Sequence, residues 1–456
     1  MNHWTSTAVV YHIYPLGLLD APKQLDPTAA PVSRLAGLAA WTEHILNLGC
    51  NTVYLGPVFR SSTHGYDTID YRQVDPRLGT NQDLKNLITH WHENGIRTVL
   101  DAVFNHVGRD HAWFTDLRHQ GEASPYRDWF ANLRFGQSNP LGDPFSYDGW
   151  AGHLELVKLD LRNESPRAEL FDTVQWWFAE FDIDGLRLDA ADVMDKDFLR
   201  DLAAVCRASR PDCWLFGEVV HGDYAEWIGP DMLDGVTNYE AFKGLYSSLN
   251  DRNLFEIAHS LNREFGPGGV YAGLRLYSFA DNHDVNRVAT LVRDDANLPL
   301  LYTMLFTMPG VPSIYYGSEW GIRGRKQGGN DGPLRPALAW PVPRSAMPLP
   351  HLQDHIARLA ALRQRYPALQ GLTYTQLHVA NEQFAFLRGA DAPSAVVLVN
   401  AASNPTDLSF DIPLPDGTEL VAAESGEQRA SVTNGRLEVA SMPAKTAWVL
   451  VPRQLG

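Results

Sequence analysis

The sequence predicts an α/β protein: a closed parallel (β/α)8 barrel with a small inserted domain after strand 3 and a C-terminal antiparallel β-sandwich domain. Three observations predict it. Short apolar runs rich in β-branched and aromatic residues alternate with helical stretches through the first 370 or so positions, and eight such runs can be placed. Four of the segments end their apolar run in a carboxylate or an imidazole, as a buried parallel strand does when it delivers a polar side chain to the open end of a barrel. After about Gly371 the pattern gives way to short alternating strands separated by turn residues.

Taken in order, the candidate strands are Ala8–Tyr14, Thr52–Leu55, Thr98–Val103, Gly185–Leu188, Trp214–Phe216, Gly235–Thr237, Leu274–Phe279 and Ser313–Tyr316. Between them the helical stretches include Leu35–Leu48, Gln82–Asn94, Ala168–Phe181, Lys196–Ala208 and Phe255–Phe265. An open doubly wound sheet is the competing fold, but its Gly-rich phosphate turn is not found. From Val107 to about Lys158 runs a connection too long for a plain loop, rich in Gly, Pro, Asp and aromatics. The barrel is therefore assigned to residues 1–106 and 159–370, the insertion to 107–158 and the β-rich tail to 371–456. Tail strands are expected at 384–388, 395–399, 419–422, 436–439 and 447–451.

The chain has 456 residues, 45% of them apolar, which is ample for a large core. A formal net charge of −16 argues against nucleic acid or an anionic membrane as partner. No stretch is long and apolar enough to span a bilayer. The start, Met1-Asn-His-Trp, has neither a basic region nor a long apolar one, so a cytoplasmic protein is expected. Cys50, Cys206 and Cys213 are an odd number without metal-like spacing and are expected to be reduced. Thirteen Trp and seventeen Tyr supply flat faces for sugar stacking, although core packing accounts for most of them.

The polar strand ends carry the chemistry. Asp101-Ala-Val-Phe-Asn105-His106, Gly185-Leu-Arg187-Leu-Asp189, Phe216-Gly-Glu218 and Asp281-Asn-His283-Asp284 present three carboxylates, Asp189, Glu218 and Asp284, on three different strands. Retaining glycoside hydrolysis requires a nucleophile, a proton donor and further charge that positions the sugar. Arg187 lies two residues before Asp189 and so shares its face, where a guanidinium keeps the carboxylate ionised. Glu218 emerges from an apolar strand, which should raise its proton affinity and suit it to act as the acid. Asp101 shapes the barrel mouth, and His106 contacts substrate rather than metal, since no second His falls at a ligand spacing. Tyr66, in His64-Gly-Tyr-Asp67, offers its ring to a sugar or serves a tight turn. Asp331 and Arg335 place an acid and a base on one loop, or form a surface ion pair.

Together these motifs resemble the α-amylase family, glycoside hydrolase family thirteen, over nearly the whole chain. The resemblance implies Asp189 as nucleophile, Glu218 as acid/base and Asp284 as transition-state stabiliser. It implies Arg187, His106 and His283 around the same sugar, Asp101 in support, Tyr66 as stacking platform, and Asp331 with Arg335 on the next sugar outward. Val157-Lys-Leu-Asp-Leu-Arg-Asn163, Ser124-Pro-Tyr-Arg-Asp-Trp-Phe130 and Met308–Gly317 resemble the cyclomaltodextrinase, neopullulanase and maltogenic amylase group. That group cleaves short and cyclic α-glucans, at α-1,4 and often α-1,6 bonds, so the partner implied is an α-glucan oligosaccharide. Two departures stand out. Trp4 to Tyr14 already reads as the first barrel strand, where the group carries an additional N-terminal domain that often builds the dimer; a homodimer is thus left open. Val219-Val220 follow the acid where the group often has an aromatic residue. Asn105 matches a calcium ligand of secreted relatives, but six to eight oxygen ligands cannot be assembled from the sequence, and no cofactor is expected to be required.

Overall fold

The computed structural model describes residues 3–389 and 394–453. Eight parallel strands form the central sheet: β1 (Val10–Ile13), β2 (Thr52–Leu55), β3 (Arg97–Ala102), β4 (Gly185–Leu188), β5 (Trp214–Gly217), β6 (Gly235–Val236), β7 (Tyr277–Phe279) and β8 (Val311–Tyr315). Their order is 6-5-4-3-2-1-8-7. A parallel bridge between Thr237 and Tyr277, with Asn238 N donating to Tyr277 O at 2.8 Å, joins the two ends and closes the barrel. Each strand matches an expected one within a few residues. The expected runs overshoot most at β1 and β7, where Ala8–Tyr14 and Leu274–Phe279 shorten to Val10–Ile13 and Tyr277–Phe279.

Both faces of the strands are buried, as a closed parallel sheet requires. The inner face packs Val10, Tyr54, Val99, Trp214, Phe216, Tyr277 and Phe279 against one another. The outer face packs under helices Asn81–Glu93, Glu164–Phe181, Lys196–Ser209, Tyr239–Asn250, Phe255–Phe265, Leu298–Thr307 and His351–Arg365. Helix Asn81–Glu93 begins at a reciprocal cap between Thr80 and Asp83. Two features depart from the expected alternation. The stretch Leu35–Leu48 is a 3-10 segment, Leu35–Trp41, running into a short helix, Thr42–Asn47. The link from β5 to β6 holds only the 3-10 turn Tyr224–Glu226.

Behind β3, the inserted segment pairs His106–Gly108, His153–Lys158 and Gly149–Trp150 in a small antiparallel sheet beside helix Ala112–Gln120. Phe114, Phe130, Phe145 and Tyr147 are buried, and Phe114 meets the other three edge-on. Most of its aromatics thus build its own core. The C-terminal eight strands form one continuous antiparallel sheet from Tyr374–Val379 to Thr446–Pro452. Its edge strands, Tyr374–Val379 and Thr406–Asp411, approach each other. The sheet therefore rolls round a core of Leu398, Phe410, Leu420, Leu437 and Leu450, which realises the expected sandwich as one folded-over sheet. Buried Arg388 ties it to the barrel by donating to the carbonyl of Thr307, and also donates to those of Gly371 and Thr373. Arg363, likewise buried, donates within the barrel portion to the carbonyls of Phe306, Leu369 and Gly310.

Candidate active site

The polar strand ends converge at the C-terminal mouth of the barrel, the face on which such barrels place reactive groups. Strand register explains the first contact. Arg187 on β4 lies directly beside Asp101 on β3, and its Nη1 donates to both Asp101 oxygens at 2.9 and 3.1 Å. The two-residue period aims Asp189 the same way, so Nη1 also donates to Asp189 Oδ1 at 2.8 Å. Nη2 reaches the end of the next strand, 2.7 Å from Glu218 Oε2. One buried guanidinium therefore holds Asp101, Asp189 and Glu218 together.

Burial pushes the Asp189 carboxyl up from its ordinary value. Arg187 pulls it back, while the neighbouring charges of Glu218 and Asp101 act with burial. Three carboxylates thus share one cation. Glu218 follows an apolar strand, but its carboxylate does not sit in an apolar pocket as the sequence suggested. Besides Arg187 it accepts from Ala190 N at 3.3 Å and from the Tyr239 hydroxyl at 3.2 Å.

Asp284 stands in the turn after β7. Burial acts to raise it, yet His283 Nε2 and Arg335 Nη2, each 2.8 Å away, outweigh burial and hold its carboxyl below the usual carboxylate range. The Arg335 guanidinium also bonds the His283 carbonyl at 3.0 Å and Asp331 at 3.3 Å, and lies over the ring of Tyr14. The Asp331–Arg335 pair is thus part of the site rather than a surface ion pair.

Tyr66 stacks on His283, with ring centroids 5.4 Å apart and planes 7° apart, and its hydroxyl bonds Asp101 and His283. His106 Nε2 is 4.0 Å from Asp189 Oδ2. Burial pushes His106 down to about 3, so its imidazole stays neutral, and Nε2 has no hydrogen-bond partner among the described residues. Trp150 of the inserted segment stands 5.9 Å from the His106 ring and forms a wall beside it.

Residues that sequence reasoning did not single out complete the floor. Tyr54 donates to Asp101 at 2.7 Å. His12 stacks on Tyr54 and meets His283 edge-on. Burial lowers the His12 imidazole well below its ordinary value. Both lie on strands whose apolar content hid them; their inward position on β1 and β2 is the one available signal. Tyr239 had none beyond its place after β6.

Asn105 lies apart from the carboxylates. It is fully buried, and its Nδ2 donates to His106 Nδ1 at 3.2 Å while Oδ1 has no partner. It lines a cavity of about 260 Å3 shared with Asp148, Lys158, Asp160 and Asp195. This wall fits calcium poorly: Asp160 is engaged by Arg162, and Lys158 adds a positive charge. Among the described residues no three His, Cys, Asp or Glu side chains gather as metal ligands. Cys50, Cys206 and Cys213 are buried free thiols, and no described helix is long and apolar enough to cross a membrane.

Comparison with known proteins bears on this geometry. The family profile for the alpha amylase catalytic domain matches residues 25–339. A cyclomaltodextrinase of Geobacillus thermopakistaniensis (strain MAS1) is 31% identical over 451 residues, covering 94% of this chain and 74% of that protein. A solved cyclomaltodextrinase superposes with a TM-score of 0.86 at 27% identity, covering 98% of this chain and 78% of that one. The cyclic alpha-maltosyl-(1→6)-maltose hydrolase of Arthrobacter globiformis superposes with a TM-score of 0.81 at 26% identity, covering 98% and 99%.

Proposed function

The chain belongs to the α-amylase family of glycoside hydrolases, and on that premise we propose that it cleaves α-1,4, and also α-1,6, glucosidic bonds of short or cyclic α-glucans with retention of configuration. The observation that carries the reading is the single Arg187 guanidinium bridging Asp189 and Glu218, opposite an Asp284 held by His283 and Arg335. The similarity to cyclomaltodextrinases and to a hydrolase of a cyclic tetrasaccharide supports the substrate class.

In the proposed reaction the cluster carries one proton, on Glu218. An Asp189 oxygen attacks the anomeric carbon as the bond to the leaving oxygen breaks, and Glu218 gives its proton to that oxygen. Water then attacks the same carbon, Glu218 takes the water's proton, and Asp189 leaves as a carboxylate. Arg187 favours the ionised nucleophile. Asp284, kept charged by the His283 ring and the Arg335 guanidinium beside it, faces the positive charge that develops on the sugar. His106 and His283 bind hydroxyls of the same sugar, Tyr66 offers its ring face, and Asp331 and Arg335 take the next sugar outward. No step draws on a metal, and calcium at Asn105 is not required.

Two measurements test this. Proton NMR of the first product from maltotriose or a cyclodextrin should show the α-anomer before mutarotation. Asp189→Asn should lower kcat by at least about a thousandfold with the fold intact. A β-anomeric first product, or near-normal turnover in the folded variant, would overturn the assignment.

A further inference from the structure

Tyr239 opens the helix Tyr239–Asn250, one residue beyond the Asn238 that closes the barrel. Its ring packs edge-on against Phe279 at 5.0 Å, and its hydroxyl stands 3.2 Å from Glu218 Oε1 and 3.2 Å from Asn282 Nδ2. An amide nitrogen can only donate, so the phenol oxygen accepts from Asn282. That leaves one phenol proton, and Glu218 Oε1 is the acceptor within reach. Asn282 is itself fixed, because its Oδ1 accepts from Asp284 N at 2.8 Å and Val285 N at 3.1 Å. The phenol is therefore pinned to the turn that carries His283 and Asp284 while its proton points at Glu218.

The two oxygens of Glu218 are not equivalent. Oε2 accepts from the Arg187 guanidinium at 2.7 Å and from Ala190 N at 3.3 Å. Among the described residues Oε1 has the tyrosine alone. A proton added to Oε2 would confront a cation and an amide donor, whereas Oε1 keeps a free lone pair. Resting on the acid/base role proposed for Glu218, we infer that Tyr239 is a positioning residue: Arg187 and Ala190, by occupying Oε2, leave Oε1 to carry the catalytic proton, and Tyr239 orients that oxygen and stabilises the carboxylate left after the proton is transferred.

Burial pushes the Tyr239 phenol well above its ordinary range, with the charges of Glu218 and Asp284 adding to burial, so it remains a donor throughout the working pH range. The charged and titratable groups around Glu218 are Arg187 and Asp189 from β4, Asp101 on β3 through Arg187, and Asp284 with His283 from the turn after β7. None of them bonds the tyrosine oxygen, which touches only Glu218 and Asn282 among the described residues.

The test is the pH profile of kcat/KM on a maltooligosaccharide. Tyr239→Phe deletes one oxygen and keeps the ring against Phe279. Losing a donor to a carboxylate favours its protonated form, so the alkaline limb should move up by about 0.5–1 unit, the equivalent of one ordinary hydrogen bond. kcat should fall about tenfold, and KM should stay within about twofold. Difluorotyrosine introduced at position 239 is a stronger donor of the same shape, and it should move the limb the opposite way. A folded variant of either kind with an unmoved limb, or both variants moving it in one direction, overturns the inference and leaves the proposed function standing. Failure of that function would show separately, as ordinary turnover in folded Glu218→Gln.

Discussion

Glu264 offers a direct test of the physics that holds the closing seam of the barrel. It lies near the end of helix Phe255–Phe265, fully buried. Asn238 Nδ2 donates to its Oε2 at 2.7 Å, while Oε1 has no partner among the described residues. The same Asn238 bonds Tyr277 across the seam and caps the helix behind Tyr239. Burial pushes Glu264 up from 4.5 to about 8; the Asn238 hydrogen bond opposes this, Glu240 adds to it and Arg263 opposes it. The side chain is thus neutral in the fold at pH 7 but ionised in the unfolded chain.

The sign follows directly. A raised acid binds its proton more tightly in the fold, so unfolding releases a proton between pH 4.5 and about 8. The contribution to stability is whole below 4.5, declines through that window and is gone above it. Across the window this amounts to roughly 5 kcal/mol, of which about 3 kcal/mol is lost by pH 7. Glu264→Gln keeps the shape and the Asn238 contact and removes the titration. Its amide has two donors where the protonated acid has one, and the extra unsatisfied donor costs about 1 kcal/mol, for a net gain of about 2 kcal/mol at pH 7. With an unfolding entropy of about 1 kcal/mol/K for a chain of this length, the midpoint should rise by about 2 °C at pH 7, rise further at pH 8 and show no gain at pH 5. Thermal unfolding by circular dichroism at fixed scan rate and ionic strength from pH 5 to 8.5 reads this slope. Parallel curves for the two proteins would mean that Glu264 does not hold its proton in the fold, and the argument would fail.

Two further outcomes follow from the structure. Because Trp150 walls the site beside His106, kcat/KM for small cyclic or linear α-glucans should exceed that for soluble starch by at least about tenfold, roughly 1.4 kcal/mol. Trp150→Ala should narrow that ratio, and an unchanged ratio in competition assays would remove the tryptophan from substrate selection. Arg388 is fully buried and spends its donors on three backbone carbonyls between the barrel and the tail. Arg388→Met should therefore destabilise by about 3 kcal/mol or more in urea unfolding, with activity per folded molecule unaltered.

What the sequence made legible, and what it hid, follows from the range of the interactions involved. Arg187 and Asp189 were readable because two residues of strand period put them on one face, and Glu218 because it ends an apolar run. The environment of Glu218 was not readable, since Arg187, Ala190 and Tyr239 arrive from other segments. Helix Leu298–Thr307 is buried almost all round and carries no polar face to reveal its period. Strand Gln428–Thr433 escaped for the converse reason: Gln-Arg-Ala-Ser-Val-Thr has no apolar run, and the strand is held by pairing with its neighbours in the rolled sheet. The seam of the barrel shows the same limit at the site itself. β6 is only two residues long, and the expected run Gly235–Thr237 located it without showing what it closes against. Yet its closure with β7 puts Asn238 beside Tyr277 and Tyr239 between Glu218 and Asn282. A residue whose position is set by closing a barrel carries no local signature, and Tyr239 reaches Glu218 and Asn282 only through that closure.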